Sequence, residues 1–99
     1  MTAGAQPLPP RFLLAMPDDS LAPTTPKGTV LICSTGVAPA VGAGVLIEDA
    51  AGQRYVRRLT RMDGPQWTAE ARRTGFQALS NAPGMVLRAV VVGRQTGEV

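Results

Sequence analysis

The sequence predicts a small, mostly antiparallel, all-β domain, coiled or partly closed so as to limit its edges. Three observations carry this reading. Short apolar runs are punctuated by turn residues about every eight to twelve positions. Nine prolines and eleven glycines among 99 residues supply those turns. No segment keeps a helical apolar period over a useful length. A chain of this size has room for one core and one domain. With 44% apolar and 17% charged residues, its composition is that of a folded protein.

Taken in order, residues 1–10 are small, polar and proline-rich and read as a linker or disordered lead. Arg11 to Met16 is a short apolar strand that runs into Pro17-Asp18-Asp19-Ser20-Leu21-Ala22-Pro23-Thr24, a tight turn able to present the Ser20 hydroxyl. Thr24 to Gly28 is a second turn, with Gly28 free to take a positive φ. Thr29 to Ser34 is β-branched and apolar, the next strand. Gly36 to Gly44 is a loop of small residues. Val45 to Glu48, the turn Asp49-Ala50-Ala51-Gly52 and Gln53 to Leu59 form a β-hairpin, with Gly52 in the left-handed region. After the turn Asp63-Gly64-Pro65, Gln66 to Arg72 alternates as a strand, although Ala, Glu and Arg also favour helix. Phe76 to Leu79 is a further short run, and Met85 to Gly93 is the longest apolar run and a central strand. The tail from Arg94 is polar and expected to fray, which leaves 11–94 as the folded domain and 95–99 as a tail.

The residue inventory excludes several chemistries. The chain has no histidine, which removes Ser-His-Asp and Cys-His arrangements. Cys33 is the single cysteine, so neither an internal disulfide nor a cysteine-based metal site can form, and no cofactor or metal is expected. Nine of the ten basic residues are arginine, Lys27 is the only lysine, and the net charge is +3. Any base for a serine nucleophile must be Lys27, a carboxylate or the chain's own amino group. No apolar run approaches the roughly 20 residues needed to span a bilayer. The first ten residues lack the pattern of a signal peptide, so a cytoplasmic location without membrane contact is the expectation.

By the end of the hairpin the order of features resembles the C-terminal domain of LexA-type and phage CI-type repressors, a Ser–Lys peptidase family whose core is shared with signal peptidase. That family carries a strand followed by GDSMEPT, a Gly-containing turn before an apolar strand, a hairpin whose second strand carries VKRL, and a late apolar strand ending in a V-x-G-like segment. Here the first motif stands as Asp18-Asp19-Ser20-Leu21-Ala22-Pro23-Thr24, and the turn and strand as Pro26 to Ile32. The second motif stands as Val56-Arg57-Arg58-Leu59 and the late strand as Val90-Val91-Val92-Gly93. The resemblance spans roughly residues 11–94, and its two motif centres, Ser20 and Arg57, lie 37 positions apart. It implies that Ser20 stands at the nucleophile position.

One departure bears on activity. The family's general base is the lysine of VKRL, which burial brings towards neutrality so that it can take the serine proton. Arg57 stands there instead, and a guanidinium stays protonated in proteins. The family's self-cleavage cuts at Ala-Gly or Cys-Gly well upstream of the serine. Ala3-Gly4 lies only 16 positions before Ser20, which looks too short to loop back.

Two readings of each residue follow. Ser20 either hydrogen-bonds its turn, as serine commonly does, or is a vestigial or working nucleophile. Arg57 is either a solvated strand arginine or fills the former lysine site and donates to Ser20 or Asp19. Arg54, Arg57, Arg58 and Arg61 spread over both strand faces and make a weak nucleic-acid patch. Trp67 and Phe76 read as core or interface anchors, and Cys33 as a small buried hydrophobe. The resemblance implies a self-associating domain, a homodimer or higher oligomer, of a transcriptional repressor, with the Met85–Gly93 strand in the interface and no autoproteolysis. DNA would be reached only through a helix-turn-helix domain, which residues 1–99 do not contain. An active serine peptidase with an unusual base, or a module binding a protein antirepressor, are the alternatives.

Overall fold

The computed structural model describes residues 8–22 and 24–95. It contains seven strands: β1 (Arg11–Ala15), β2 (Val30–Ser34), β3 (Gly44–Glu48), β4 (Arg54–Asp63), β5 (Gln66–Glu70), β6 (Leu79–Ser80) and β7 (Val86–Gln95). They form one antiparallel sheet in the order β1-β2-β7-β3-β4-β5-β6, with no helix among the described residues. The all-β class is as the sequence predicts. The Gln66–Arg72 segment is a strand rather than a helix, shortened to end at Glu70.

Alternation along β3 sorts the core into two halves. Val45, Leu46 and Ile47 are all fully buried although successive side chains of a strand point to opposite faces. Leu46 packs with Met16, Leu21, Leu31, Cys33, Val56 and Ala89 on one face. Val45 and Ile47 pack with Leu59, Trp67, Ala69 and Leu79 on the other. Three β-bulges bend the sheet. Val92 is the extra residue between β2 and β7, where Ile32 pairs with Gly93 but Cys33 with Val91. Arg88 is the extra residue between β3 and β7, and Thr60 between β4 and β5. Thr60 Oγ1 donates to Glu70 at 3.1 Å with the Thr68 carbonyl as an alternative acceptor at 3.3 Å, while Arg88 pairs with Glu48.

Several boundaries differ from the sequence reading. β4 runs on to Asp63 because its distal half pairs with β5 across the tight Gly64-Pro65 turn, where Gly64 has φ 63°. β7 continues to Gln95, since Leu31 and Val30 of β2 pair with Arg94 and Gln95; those two residues do not fray. Phe76 and Gln77 lie outside any strand, and β6 is only two residues long. Leu8, in the expected lead, packs on the first core half, and residues 1–7 and 96–99 lie outside the described residues. β7 is central as expected, hydrogen-bonded on one side to β2 and on the other to β3.

The Asp49–Gly52 turn carries its own clamp. Asp49 accepts the backbone N–H groups of Ala51 and Gln53 and the Tyr55 hydroxyl, and Gly52 has φ 84°. The Gln53 bond above all holds the Asp49 carboxyl below its ordinary value.

Leu46 lies in the sealed middle of the sheet and Leu13 is 59% exposed on the edge strand β1. Leu46→Ala is expected to lower unfolding stability by about 2–5 kcal/mol and Leu13→Ala by no more than about 0.5 kcal/mol, as read by urea denaturation.

Candidate functional site

The serine turn is a closed loop tied down at its base. Met16 exchanges backbone hydrogen bonds with Thr29 and Gly28, and Leu21 bridges to Thr25. Asp18 Oδ1 accepts the Ser20 N–H at 3.0 Å, an Asx turn that sets the serine backbone. Asp19 Oδ1 accepts the Lys27 N–H at 2.8 Å, which joins the two halves of the loop. Lys27 itself is exposed. Ser20 is fully buried, so its hydroxyl faces the sheet rather than solvent.

What it meets there follows from strand lengths. Leu59 exchanges backbone bonds with Ala43 and Gly42 on the β3 side, so alternation turns the Val56 carbonyl to the β5 side. The β4–β5 ladder stops at the Arg58–Glu70 pair. Continued for two more residues it would set Arg72 opposite Val56, but the Arg72 N–H instead donates to the Ser20 carbonyl at 2.7 Å. Ser20 Oγ donates to the Val56 carbonyl at 3.1 Å. Ser20 is therefore inserted as a one-residue bridge where the two strands part. Its hydroxyl bonds the sheet, not its own turn.

Arg57 completes the junction. Its Nη1 donates to Ser20 Oγ and to the Val56 carbonyl, each at 3.0 Å, and its Nε donates to the Gln77 carbonyl at 3.2 Å. Asp18 Oδ2 lies 3.5 Å from Nη1. The Tyr55 and Phe76 rings stand 5.6 and 5.7 Å from the guanidinium carbon, within cation–π range. Arg57 is only 3% exposed, so it is no solvated strand arginine. It reaches Ser20 as one of the two readings required, but its acidic partner is Asp18 rather than Asp19.

A hydroxyl has one proton and two lone pairs. Here the proton is spent on the Val56 carbonyl and a lone pair on Arg57. Neither neighbour can take a proton: one is an amide oxygen and the other a guanidinium. The trio of Ser20, Arg57 and Asp18 is a satisfied structural junction and not an activated nucleophile.

A cleft of about 210 Å³ opens beside the turn. Leu31 and Val56 lie at its floor, Leu21 and Val91 on its walls, and the exposed Arg58 and Arg72 at its mouth. Neither Ser20 nor Arg57 lines it. Sequence reasoning missed this cleft, Asp18's pairing and the part played by Phe76 and Gln77. Of the other arginines on β4, Arg54 pairs with Glu48 at 3.4 Å, and Arg58 and Arg61 are exposed. Trp67 is a core residue, and Cys33 is fully buried, where desolvation raises its thiol pKa. No group of three acidic, cysteine or histidine side chains could hold a metal among the described residues. Nor is any helix among them long and apolar enough to cross a membrane.

Comparison of the chain with family models and with curated proteins finds no match.

Arg57→Leu leaves Asp18 unpaired and the Gln77 carbonyl without its donor, and is expected to destabilise the fold by about 3 kcal/mol. Ser20→Ala, in which Arg57 still serves the Val56 carbonyl, should cost about 1 kcal/mol. Thermal and urea unfolding of both variants measures the order. The Cys33 pKa is raised in the fold, so its contribution is complete below the ordinary thiol value of 9.0 and is lost as pH rises through the folded value. Stability should accordingly decline above about pH 9, less steeply in Cys33→Ala, and native Cys33 should resist thiol reagents at neutral pH.

Proposed function

We propose that this domain is a catalytically silent relative of the LexA/CI-type C-terminal domain and serves self-association in a transcriptional regulator. The observation that carries the reading is the Arg57–Ser20 contact, because the two motif centres 37 positions apart meet through one hydrogen bond. This meeting of the two motif centres supports the resemblance. The silent state is supported by the same contact, since Arg57 holds the lysine's place and donates where a base would accept. DNA contact then belongs to a helix-turn-helix domain outside residues 1–99.

The fold limits how such a domain can associate. β7 is hydrogen-bonded on both sides, so its edge is not open to a second copy; only its exposed side chains Val86, Val92, Arg94 and Gln95 are. The edge strand β1 is better placed. Pro10 and Met16 turn their backbone groups to the β2 side, so alternation leaves those of Arg11, Leu13 and Ala15 facing outwards. A two-fold axis at Leu13 would set Arg11 opposite Ala15 of the second copy, with no like charges facing.

Sedimentation at micromolar concentration is expected to show a dimer that Leu13→Lys converts to monomer; monomer alone in the parent chain would overturn the reading. Prolonged incubation at alkaline pH should give the same bands for the parent and Ser20→Ala. A serine-dependent fragment would reinstate a peptidase.

A further inference from the structure

The cleft beside the serine turn has a composition of its own. Its floor is apolar, from Leu31 and Val56, while Arg58 and Arg72 bring two positive charges to its mouth, and among the described residues no carboxylate lines it. Among the described residues neither guanidinium has an ion-pair partner, unlike Arg54, Arg57 and Arg88. Glu70 shares an adjoining hollow with both arginines, but its Oε2 accepts the Thr60 hydroxyl at 3.1 Å and pairs with neither. Thr24 and Thr25 add hydroxyls to the lining. Gly44 leaves one wall bare: a Cβ there would stand 3.3 Å from Val91.

We propose that this cleft is a binding site for a carboxylate carrying a small branched apolar group, the apolar part on Leu31, Val56 and Val91 and the carboxylate between Arg58 and Arg72. The volume of about 210 Å³ is that of roughly seven waters, enough for a leucine-sized body. Guanidinium forks match carboxylate geometry, and an apolar floor offers nothing to the fully hydrated faces of a free phosphate. A free small acid and the C-terminal residue of a peptide share this chemistry. The site stands apart from the self-association reading, because its residues lie on β2, β3, β4, β7 and the loops and not on the β1 edge.

Titration of the 99-residue chain with N-acetyl-leucine, followed by amide NMR shifts, tests this. Shifts should map to Gly42, Gly44 and Val91. N-acetyl-leucinamide, N-acetylglycine and inorganic phosphate should each bind at least about tenfold more weakly, the size of one charge-assisted hydrogen bond or one buried apolar side chain. The double variant Arg58→Gln/Arg72→Gln should lose at least about tenfold in affinity with an unchanged circular dichroism spectrum. A peptide Ac-Ala-Ala-Leu with a free carboxyl that binds more tightly than N-acetyl-leucine identifies a peptide terminus as the ligand; equal or weaker binding identifies a free acid. Equal binding of the amide or of phosphate overturns the proposal, as does absence of shifts at the cleft up to roughly 10 mM. The ligand comparisons decide the matter even if the double variant does not fold.

Discussion

The carbonyl of Val56 is the constraint on which the rest of this molecule depends. β4 is ten residues long and β5 only five, so the sheet has a place where one strand continues without its neighbour. A buried carbonyl left there without a donor would cost on the order of 1–3 kcal/mol. Two donors reach it, the Ser20 hydroxyl and Arg57 Nη1. Meeting that need docks the serine turn onto the sheet, brings Arg72 and Arg73 to the Ser20 carbonyl, and holds the segment before β6 through Gln77. Segments far apart in the chain are joined at one point by groups that are individually ordinary.

Arginine suits this position for reasons that also disqualify it as a base. Its planar fork directs Nε and Nη1 to different acceptors at once, which a lysine's single ammonium on a flexible stem does less rigidly. A buried cation must be compensated, and here three oxygen acceptors, the Asp18 carboxylate and two aromatic rings share that task. Every one of those contacts stabilises the charged form. The permanent charge that makes Arg57 a good structural tie is therefore also what stops it from taking the Ser20 proton.

Much of the fold was legible from local pattern. The apolar runs at Thr29–Ser34, Val45–Glu48 and Met85–Gly93 hold strands because each is bounded by turn residues, and Gly28 and Gly52 take the positive φ their turns require. The meeting of Ser20 with Arg57 was legible through the order of two motifs. The bulges at Thr60, Arg88 and Val92 were not, because a bulge is a property of two paired strands and leaves no mark in either alone. The premature end of β5 was hidden for the same reason: Ala71 and Arg72 would suit a strand, and only the competing Ser20 carbonyl draws Arg72 away. Asp18 and Asp19 are chemically alike, so only the loop geometry could assign one to Arg57 and the other to Lys27.

The place of β7 has a consequence for how the chain reaches this state. The last of the seven strands in sequence is the third in space, lying between β2 and β3. Until residues 86–95 are present, β1-β2 and β3-β4-β5-β6 are two separate ribbons, each with a bare edge where β7 will pair, and the Leu46 half of the core is divided between them. During synthesis these ribbons therefore stay unsealed until β7 emerges from the ribosome and joins them. That interval of open edges is when the protein is most exposed to pairing with the wrong neighbour.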